Sequence, residues 1–368
     1  MESPLLEVHR SLGAKLGDFA GWQMPLEYPA PIGGGTLAEH EAVRETVAIF
    51  DVSHLGKISI SGAGAKAWAN EIFTNDLNKI TAGQAQYSLL CAPDGGVIDD
   101  VIVYCKGDDE IFIVPNAANS GEVFNTLNER RSLTDAHLSL TNLHQDFAVI
   151  ALQGPLSSRV LAQIGINVSL EYMSFAEITF EGSTFTLCRT GYSGEHGYEL
   201  IPPREIAVSL WNNLSRTILA LDGKIAGLGA RDTLRTEMGY PLHGHELSLD
   251  ISPLDANLSW AVGWQKKFFI GHDALRVQQA KGVERLLRGL LLTDRGIPRA
   301  GMFVRNSVGA VVGEVTSGTF SPTLKQGIAL AFIEAGIEVG EQLLIDVRGR
   351  ALGAVVVKPP FVPSHVRD

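Results

Sequence analysis

The chain has 368 residues, of which 45% are hydrophobic and 19% are charged, and it carries a formal net charge of −11 at pH 7. This length exceeds one ordinary hydrophobic core and predicts two or three domains, while the composition excludes a disordered protein. The acidic balance argues against a nucleic-acid-binding surface, which needs a basic footprint.

Strand-like and helix-like segments are mixed over roughly the first 270 residues. Apolar spacing, glycine breaks and capping patterns predict an early strand and several helices in and just after this region, besides the strands discussed below. The predicted strand is Gly56–Ser61, and the helices lie over Ala63–Phe73, from a capping box at Asn119–Glu122 to Arg131, from Gly154 through Leu161, over Pro203–Leu219 and over His272–Ala280.

After Gly282 the pattern changes to short strands at regular intervals without helices. The predicted strands are Leu286–Leu292, Gly301–Arg305, Ala310–Val315, Ile328–Ile333, Glu341–Val347 and Leu352–Lys358. Such spacing predicts a small antiparallel β-barrel or jelly roll. We therefore divide the chain into a mixed region, residues 1–280, and a C-terminal barrel, residues 283–368.

Two adjacent carboxylates, Asp99 and Asp100, interrupt the apolar strand Val97–Cys105. Successive side chains of a strand point to opposite faces, so Asp100 shares a face with Ile98 and Ile102 while Asp99 lies on the other. A carboxylate on an apolar face needs hydrogen-bond partners or a ligand. The pattern leaves two interpretations open, a functional carboxylate or one that caps a neighbouring backbone.

Two glycine-rich segments carry further candidates. Arg189–Leu200 predicts a hairpin whose returning strand holds Glu199 between apolar neighbours, where a carboxylate can accept paired N–H bonds from an amino-heterocycle. Gly227–Arg235 predicts a helix whose first turn contains Arg231, against the helix dipole. The structural alternatives are an ordinary hairpin for the first segment and, for Arg231, a pairing with Asp232 or with a surface carboxylate.

Other reactive side chains give weaker patterns. The His243-Gly244-His245 pair supplies too few ligands for a metal site, so no metal is predicted. Three dispersed cysteines, Cys91, Cys105 and Cys188, exclude a disulfide framework and favour a cytoplasmic protein. No signal peptide or transmembrane segment is predicted, and so no membrane partner.

Taken together, the motifs resemble the aminomethyltransferase (T-protein) family of the glycine cleavage system along essentially the whole chain. The matching stretches are Asp18–Leu26, Phe50–Gly56, Tyr87-Ser88, Gly95–Asp100, Leu152–Pro155, Arg189–Glu195, Gly227–Asp232 and Thr316–Leu324.

The resemblance implies an α+β, three-domain cloverleaf around a central folate site, with two mixed α/β lobes, the inner one at approximately residues 55–140, and the C-terminal barrel. It also implies that the carbon of an aminomethyl group on the dihydrolipoyl arm of a carrier protein (H-protein) moves to tetrahydrofolate, with release of ammonia and no metal.

The resemblance further implies roles for individual residues. Asp100 is expected to be the catalytic carboxylate, Glu199 to bind the pterin edge and Arg231 to bind a pterin oxygen or an anionic group. The remaining folate-binding candidates are Tyr87, Tyr192, Tyr240 and Asn116. Met173 stands where relatives can have a tyrosine lining the folate site, and the neighbouring Tyr172 is a possible substitute.

Two related functions remain as alternatives. A folate-dependent demethylase of the same fold would keep the folate-binding residues, although the Phe50–Gly56 and Arg189–Glu195 motifs favour the glycine cleavage branch. A non-enzymatic folate-binding factor for iron–sulfur assembly would carry a reactive cysteine. The corresponding stretch, Lys267–Asp273, has phenylalanine at that place.

Overall fold

The computed structural model describes residues 1–134 and 137–368. Its α-helices are α1 (Leu6–Ser11), α2 (Thr36–Glu45), α3 (Ala65–Ile72), α4 (Ser120–Ser132), α5 (Ser157–Gln163), α6 (Arg204–Leu219), α7 (Leu228–Met238) and α8 (His272–Lys281). Short 3-10 helices cover Leu77–Lys79 and Ser259–Ala261.

The strands form a hairpin, two sheets and a barrel. In chain order they are β1 (Lys15–Phe19), β2 (Trp22–Glu27), β3 (Ala48–Asp51), β4 (Ile58–Ser61), β5 (Gln84–Cys91), β6 (Val97–Gly107), β7 (Glu110–Pro115), β8 (Ser139–Asn142), β9 (Ile150–Gln153), β10 (Phe175–Phe180), β11 (Ser183–Cys188), β12 (Gly197–Ile201), β13 (Lys224–Ala226), β14 (Arg285–Leu292), β15 (Phe303–Arg305), β16 (Val311–Ser321), β17 (Gln326–Glu334), β18 (Gln342–Val347) and β19 (Arg350–Val357).

The first sheet has the order β10-β11-β12-β9-β3-β13, in which only β13 runs parallel to its neighbour β3. One face is covered by α5 and α6, and Trp211 of α6 is fully buried there. The apolar stripe that the sequence spacing predicts for α6 therefore packs against one face of the sheet and shields it from water.

The second sheet has the order β5-β6-β7-β4-β8 and is antiparallel throughout. Helices α3 and α4 pack on one face, against Val101 and Val103. The other face meets the first sheet through Tyr104, whose ring lies edge-on to Phe175 with centroids 5.5 Å apart. Strand β6 thus has a helix-facing side and a sheet-facing side.

The C-terminal strands close into a barrel in the order β14-β17-β16-β15-β18-β19. Between the barrel and β5–β6 lies the segment 239–282, whose Leu247 and Phe269 are buried together with Leu89 and Phe332. This packing joins the barrel to the second sheet, which itself meets the first sheet at Tyr104, so the three surround one central region.

The structure confirms the α+β class and the C-terminal antiparallel barrel. Helix α6 begins one residue later than predicted, and β16 continues six residues beyond the predicted Val315. The capping-box prediction is wrong. Asn119 precedes α4, yet its side chain makes no capping hydrogen bond, because it binds a buried carboxylate instead.

Candidate active site

The two adjacent aspartates of β6 lie in different environments, as the strand period requires. Asp99 is fully buried on the face of β6 that carries Val101, and Asp100 is partly buried on the face that carries Ile102. The prediction that Ile98 shares the face of Asp100 is wrong, because a bulge before Asp99 turns Ile98 to the Val101 side. The alternation follows the pleat of the strand. Only Asp100 therefore belongs to the face that meets the central region.

Asp99 is held by a set of amide donors. Its Oδ2 accepts from the Asn116 backbone N–H at 2.8 Å, and its Oδ1 accepts from the side chains of Asn116 at 2.9 Å and Asn119 at 2.7 Å. Burial raises the pKa of Asp99 above its usual value, and these hydrogen bonds offset only part of that rise. A buried carboxylate with this many donors fixes the backbone where β7 passes into α4.

Asp100 accepts two side-chain hydrogen bonds from other elements. The Tyr87 hydroxyl donates to Oδ2 at 3.1 Å, and Asn116 Nδ2 donates to Oδ1 at 2.8 Å. Burial and the adjacent charge of Asp99 raise the pKa of Asp100, despite the opposing effect of Tyr87 and His243. A carboxyl with a raised pKa can exchange a proton near neutral pH, which is what general acid–base chemistry needs.

An exposed tryptophan extends the aromatic surface beside Asp100. The ring of Trp260 is stacked on Tyr87 with centroids 5.4 Å apart, and 64% of Trp260 is exposed. Exposing so much indole while one face rests on a site residue is unusual for a structural tryptophan. No periodic pattern or motif in the sequence marks Trp260.

Arg231 lies across the same region without a carboxylate partner among residues 1–134 and 137–368. Its guanidinium packs over the ring of Tyr192 at 4.5 Å, while Asp232 pairs with Arg235 instead. The proposed structural alternative for Arg231, a pairing with Asp232, is therefore wrong. Burial lowers the pKa of Arg231, and an unpaired, partly buried cation of this kind suits an anionic or carbonyl group of a ligand.

Two tyrosines form the wall beyond Arg231. The rings of Tyr192 and Tyr240 are 5.6 Å apart, and the Tyr192 hydroxyl donates to the carbonyl of Pro241. Burial raises the pKa of Tyr240 to about 12 and raises that of Tyr192 further. Both phenols therefore remain protonated, as polar rims on an aromatic surface.

Glu199 lies opposite Cys188 in the antiparallel pair β11–β12, as the predicted hairpin requires. The Thr190 hydroxyl donates to its Oε2 at 2.6 Å. Its Oε1 has no hydrogen-bond partner within the described part of the chain, although only 9% of the residue is exposed. Oε1 of Glu199 is thus available to a ligand, whereas Oε2 is already bonded to the Thr190 hydroxyl.

A cavity of about 340 Å³ opens at Arg231 and Tyr192, which is within the size range of small-molecule sites. It is bounded by the β1–β2 hairpin, α7 and the barrel. The lining residues are Phe19, Tyr192, Leu228, Arg231, Asp232, Arg235, Leu242, His245, Arg299, Ala300, Thr316, Ser317 and Gly318.

A second groove, of about 590 Å³, lies against the outside of the barrel beside Phe303 and Phe332. It is larger than the central cavity, but Arg231 and Tyr192 line the central cavity and not this groove. The position of these two side chains, rather than volume, identifies the central cavity as the candidate site. Asp100 is not among the lining residues of either space.

The structure also places the His243–His245 pair. His243 bonds the carbonyl of Val97 at 3.1 Å, and His245 bonds the carbonyl of Thr316 at 2.8 Å. In the described ranges, no group of three or more metal-ligating side chains is found. The sequence pattern marks His243 only as a candidate metal ligand, because its position beside β6 depends on long-range packing.

Met173, at the position where a folate-lining tyrosine was considered, has a left-handed backbone with φ of +65°. Its amide bonds the carbonyl of Arg189. The neighbouring Tyr172 is partly buried and lies under Arg367 of the C-terminal tail, 5.3 Å from the guanidinium carbon. The tail thus returns from the barrel to the first sheet.

Comparison with known proteins gives matches along nearly the whole chain. Residues 5–266 match the family described as GCVT N-terminal domain, and residues 285–363 match the glycine cleavage T-protein C-terminal barrel domain. An aminomethyltransferase of Mycobacterium tuberculosis is 52% identical over 370 residues, covering 100% of this chain and 98% of the relative.

Two further relatives support the same assignment. An aminomethyltransferase of Parafrankia is 51% identical over 365 residues, covering 99% of this chain and 98% of the relative. The crystal structure of glycine cleavage system aminomethyltransferase T from Bartonella henselae superposes with a TM-score of 0.92 at 32% identity, and the match covers 99% of each chain.

Proposed function

Because this chain belongs to the aminomethyltransferase (T-protein) family of the glycine cleavage system, we propose that its central site binds tetrahydrofolate next to Asp100 and transfers a one-carbon unit to it. The observation that carries the proposal is Asp100 itself, a partly buried carboxylate of β6 that is held by Tyr87 and Asn116.

The reaction moves the carbon of an aminomethyl group from sulfur to the two folate amines. The carbon–sulfur and carbon–nitrogen bonds break, and two carbon–nitrogen bonds to the folate form. Two N–H protons leave the folate amines, and one ends on the thiol while the other ends on ammonia. No oxidant is consumed, because the oxidation level of the carbon is unchanged. The chemistry therefore consists of positioning and proton transfer.

Asp100 is suited to relay these protons. In its ionised form it accepts a proton from a folate amine, and its raised pKa lets it return that proton to a leaving group at neutral pH. Tyr87 and Asn116 orient both carboxylate oxygens, so the carboxylate does not have to be ordered during the reaction.

The remaining candidates suit the recognition of a pterin. Glu199 has Oε1 available for an N–H donor of the amino-pyrimidine edge, while Oε2 is already bonded to Thr190. If the pterin donates one hydrogen bond to each carboxylate oxygen, Oε2 accepts from both the pterin and the Thr190 hydroxyl. Arg231 supplies the cation for a carbonyl oxygen or carboxylate, and Tyr192 and Tyr240 supply an aromatic wall.

The partner that delivers the aminomethyl group is proposed to be the lipoyl carrier protein (H-protein) of the same system. Full-length relatives at about 50% identity are aminomethyltransferases, which favours this donor over the small methylated compounds of a demethylase. The described helices contain no segment long and apolar enough to cross a membrane. The free, buried thiols of Cys91, Cys105 and Cys188 support a cytoplasmic location.

Ammonia release from aminomethylated carrier protein, measured with and without tetrahydrofolate, tests the proposal. We expect release that depends on tetrahydrofolate and matches the 5,10-methylene product in amount. Carrier protein without the aminomethyl group is the control. Folate-independent release, or turnover of a methylated amine without carrier protein, would overturn the assignment.

A further inference from the structure

The loop between β14 and β15, residues 293–302, is fastened to β16 and forms part of the wall of the central cavity. The Gly301 N–H of this loop donates to the carbonyl of Val315 at 2.9 Å. A Cβ on Gly318 of β16 would lie 2.5 Å from the carbonyl oxygen of Pro298, so a side chain there would force the two segments apart. The loop therefore has a fixed position relative to β16.

Arg299 is the charged side chain that this loop brings to the cavity. It lines the cavity and is exposed to solvent. Its Nη1 donates to the carbonyl of Gly318 at 3.1 Å, which orients the guanidinium without neutralising its charge. Within residues 1–134 and 137–368, no carboxylate pairs with Arg299. A guanidinium has several N–H donors, so most of those on Arg299 stay available to a ligand.

The other charged groups at the cavity leave it with an excess of positive charge. Asp232 is the one carboxylate among the described lining residues, and it pairs with Arg235 at 2.8 Å. Arg235 also pairs with the buried Glu246 at 3.0 Å. Against this cluster stand two cations without a carboxylate partner, the half-buried Arg231 and the exposed Arg299. In a chain with a net charge of −11, such a local excess favours an anionic ligand.

We propose that Arg299 binds a carboxylate of the glutamate tail of tetrahydrofolate and makes the site selective for folates with an anionic tail. This inference rests on the proposed function of the site. Tetrahydrofolate joins a pterin, which is uncharged at neutral pH, to a glutamate that carries two carboxylates. The exposed guanidinium of Arg299 suits the charged end, because that end can stay partly hydrated while it is bound. The half-buried Arg231 then remains for a group deeper in the cavity.

The test measures the affinities of two ligands for wild type and R299Q by calorimetry. The ligands are tetrahydrofolate and its diamide, in which both tail carboxylates are replaced by neutral carboxamides of similar size. Wild type should bind tetrahydrofolate about fivefold more tightly than the diamide, as expected for one ion pair at an exposed position. R299Q should lose this preference, because glutamine carries no charge, while its affinity for the diamide should stay that of wild type.

Two further variants separate this contact from a general effect of charge. R299K keeps a positive charge without the planar guanidinium and should retain part of the preference for tetrahydrofolate. R295Q removes another exposed arginine of the same loop, which does not line the cavity, and should behave as wild type.

Three results would overturn the role of Arg299. They are equal affinities of wild type for the two ligands, an unchanged preference in R299Q, and an equal weakening of both ligands in R299Q, which would indicate a displaced loop. Failure of wild type to bind tetrahydrofolate at all would refute the proposed function instead.

Discussion

Asp99 and Asp100 are neighbours in sequence, yet β6 turns Asp99 toward Asn119 at the start of α4 and Asp100 toward Tyr87. The donors around Asp99 are two side-chain amides and a backbone N–H, and the residue is fully buried, which is typical of a structural carboxylate. Asp100 has one phenol and one amide, and it lies on the face toward the central region. The same residue type therefore has two different roles.

Isosteric substitutions should separate these two roles. D100N should lower turnover by about 10²–10⁴-fold with a smaller change in tetrahydrofolate affinity, the range for loss of a general acid or base. D99N puts an amide among amide donors and should lower the free energy of unfolding by about 1–3 kcal/mol. Urea unfolding and single-turnover rates measure both effects. Normal turnover in D100N would remove the carboxylate from the mechanism.

Glu199 gives a second prediction at this scale. In E199Q one carboxylate oxygen becomes an amide donor, which would meet either the Thr190 hydroxyl or an N–H of the pterin. Calorimetry should therefore show weaker tetrahydrofolate binding, by about tenfold, while T190V should weaken binding less because both oxygens remain acceptors. Equal affinity of E199Q and wild type would place Glu199 outside the folate contacts.

At the level of elements, the hairpin between β11 and β12 depends on glycine at a position where it contacts α7. Gly194 has a φ of +83°, and a Cβ there would lie 2.2 Å from Sδ of the buried Met238. Alanine would therefore meet both an unfavourable backbone conformation and a filled space. The hairpin carries Tyr192, so a shift of this turn also moves the aromatic wall of the site.

A matched pair of substitutions isolates the packing contribution. Gly182, in the turn between β10 and β11, has a φ of +80° with nothing within 4 Å of an added Cβ. G182A should cost about 1–2 kcal/mol from backbone strain alone, and G194A should cost more by about 1–3 kcal/mol and weaken folate binding. Thermal unfolding and calorimetry provide the comparison. Equal losses in the two variants would show that the contact with Met238 is unimportant.

The sequence predicted elements well where local spacing determines them and less well where distant segments meet. The alternation of β6 from Asp99 onward, the amphipathic α6 and the barrel strands follow from periodicity, whereas the bulge that displaces Ile98 does not. The partner of Asn119 could not be predicted, because a capping position and a carboxylate 20 residues earlier compete for one amide. Likewise, Trp260 and His243 come from a segment whose position depends on contacts with both β5–β6 and the barrel.

At the scale of the whole molecule, Glu237 of α7 joins the barrel to the mixed region. Its carboxylate accepts from Arg44 Nη2 of α2 at 2.7 Å and from the Thr323 hydroxyl beyond β16 at 2.9 Å. Ser321, the last residue of β16, also donates to it. Through this one buried carboxylate, α7 is hydrogen-bonded to both α2 and the barrel. The charge of Glu237 therefore helps to fix the relative positions of the elements around the cavity.

This junction predicts a specific dependence of stability on pH. Burial alone would raise the pKa of Glu237, but hydrogen bonding and charge from His40, with Ser321 and Arg44, lower it to about 2. A lowered carboxyl pKa contributes stability above the unfolded value of 4.5, and that stability is lost as pH falls from 4.5 toward 2. The difference corresponds to a free energy of unfolding on the order of 3 kcal/mol.

E237Q should therefore be less stable than wild type by about 3 kcal/mol near pH 7, and the gap should narrow steadily between about pH 5 and about pH 3. Urea unfolding at a series of pH values measures the gap. E129Q, on the exposed surface of α4, is the matched control and should differ little from wild type throughout. A gap that stays constant with pH would mean that E237Q acts through altered packing, because only a charge contribution disappears when wild-type Glu237 is protonated.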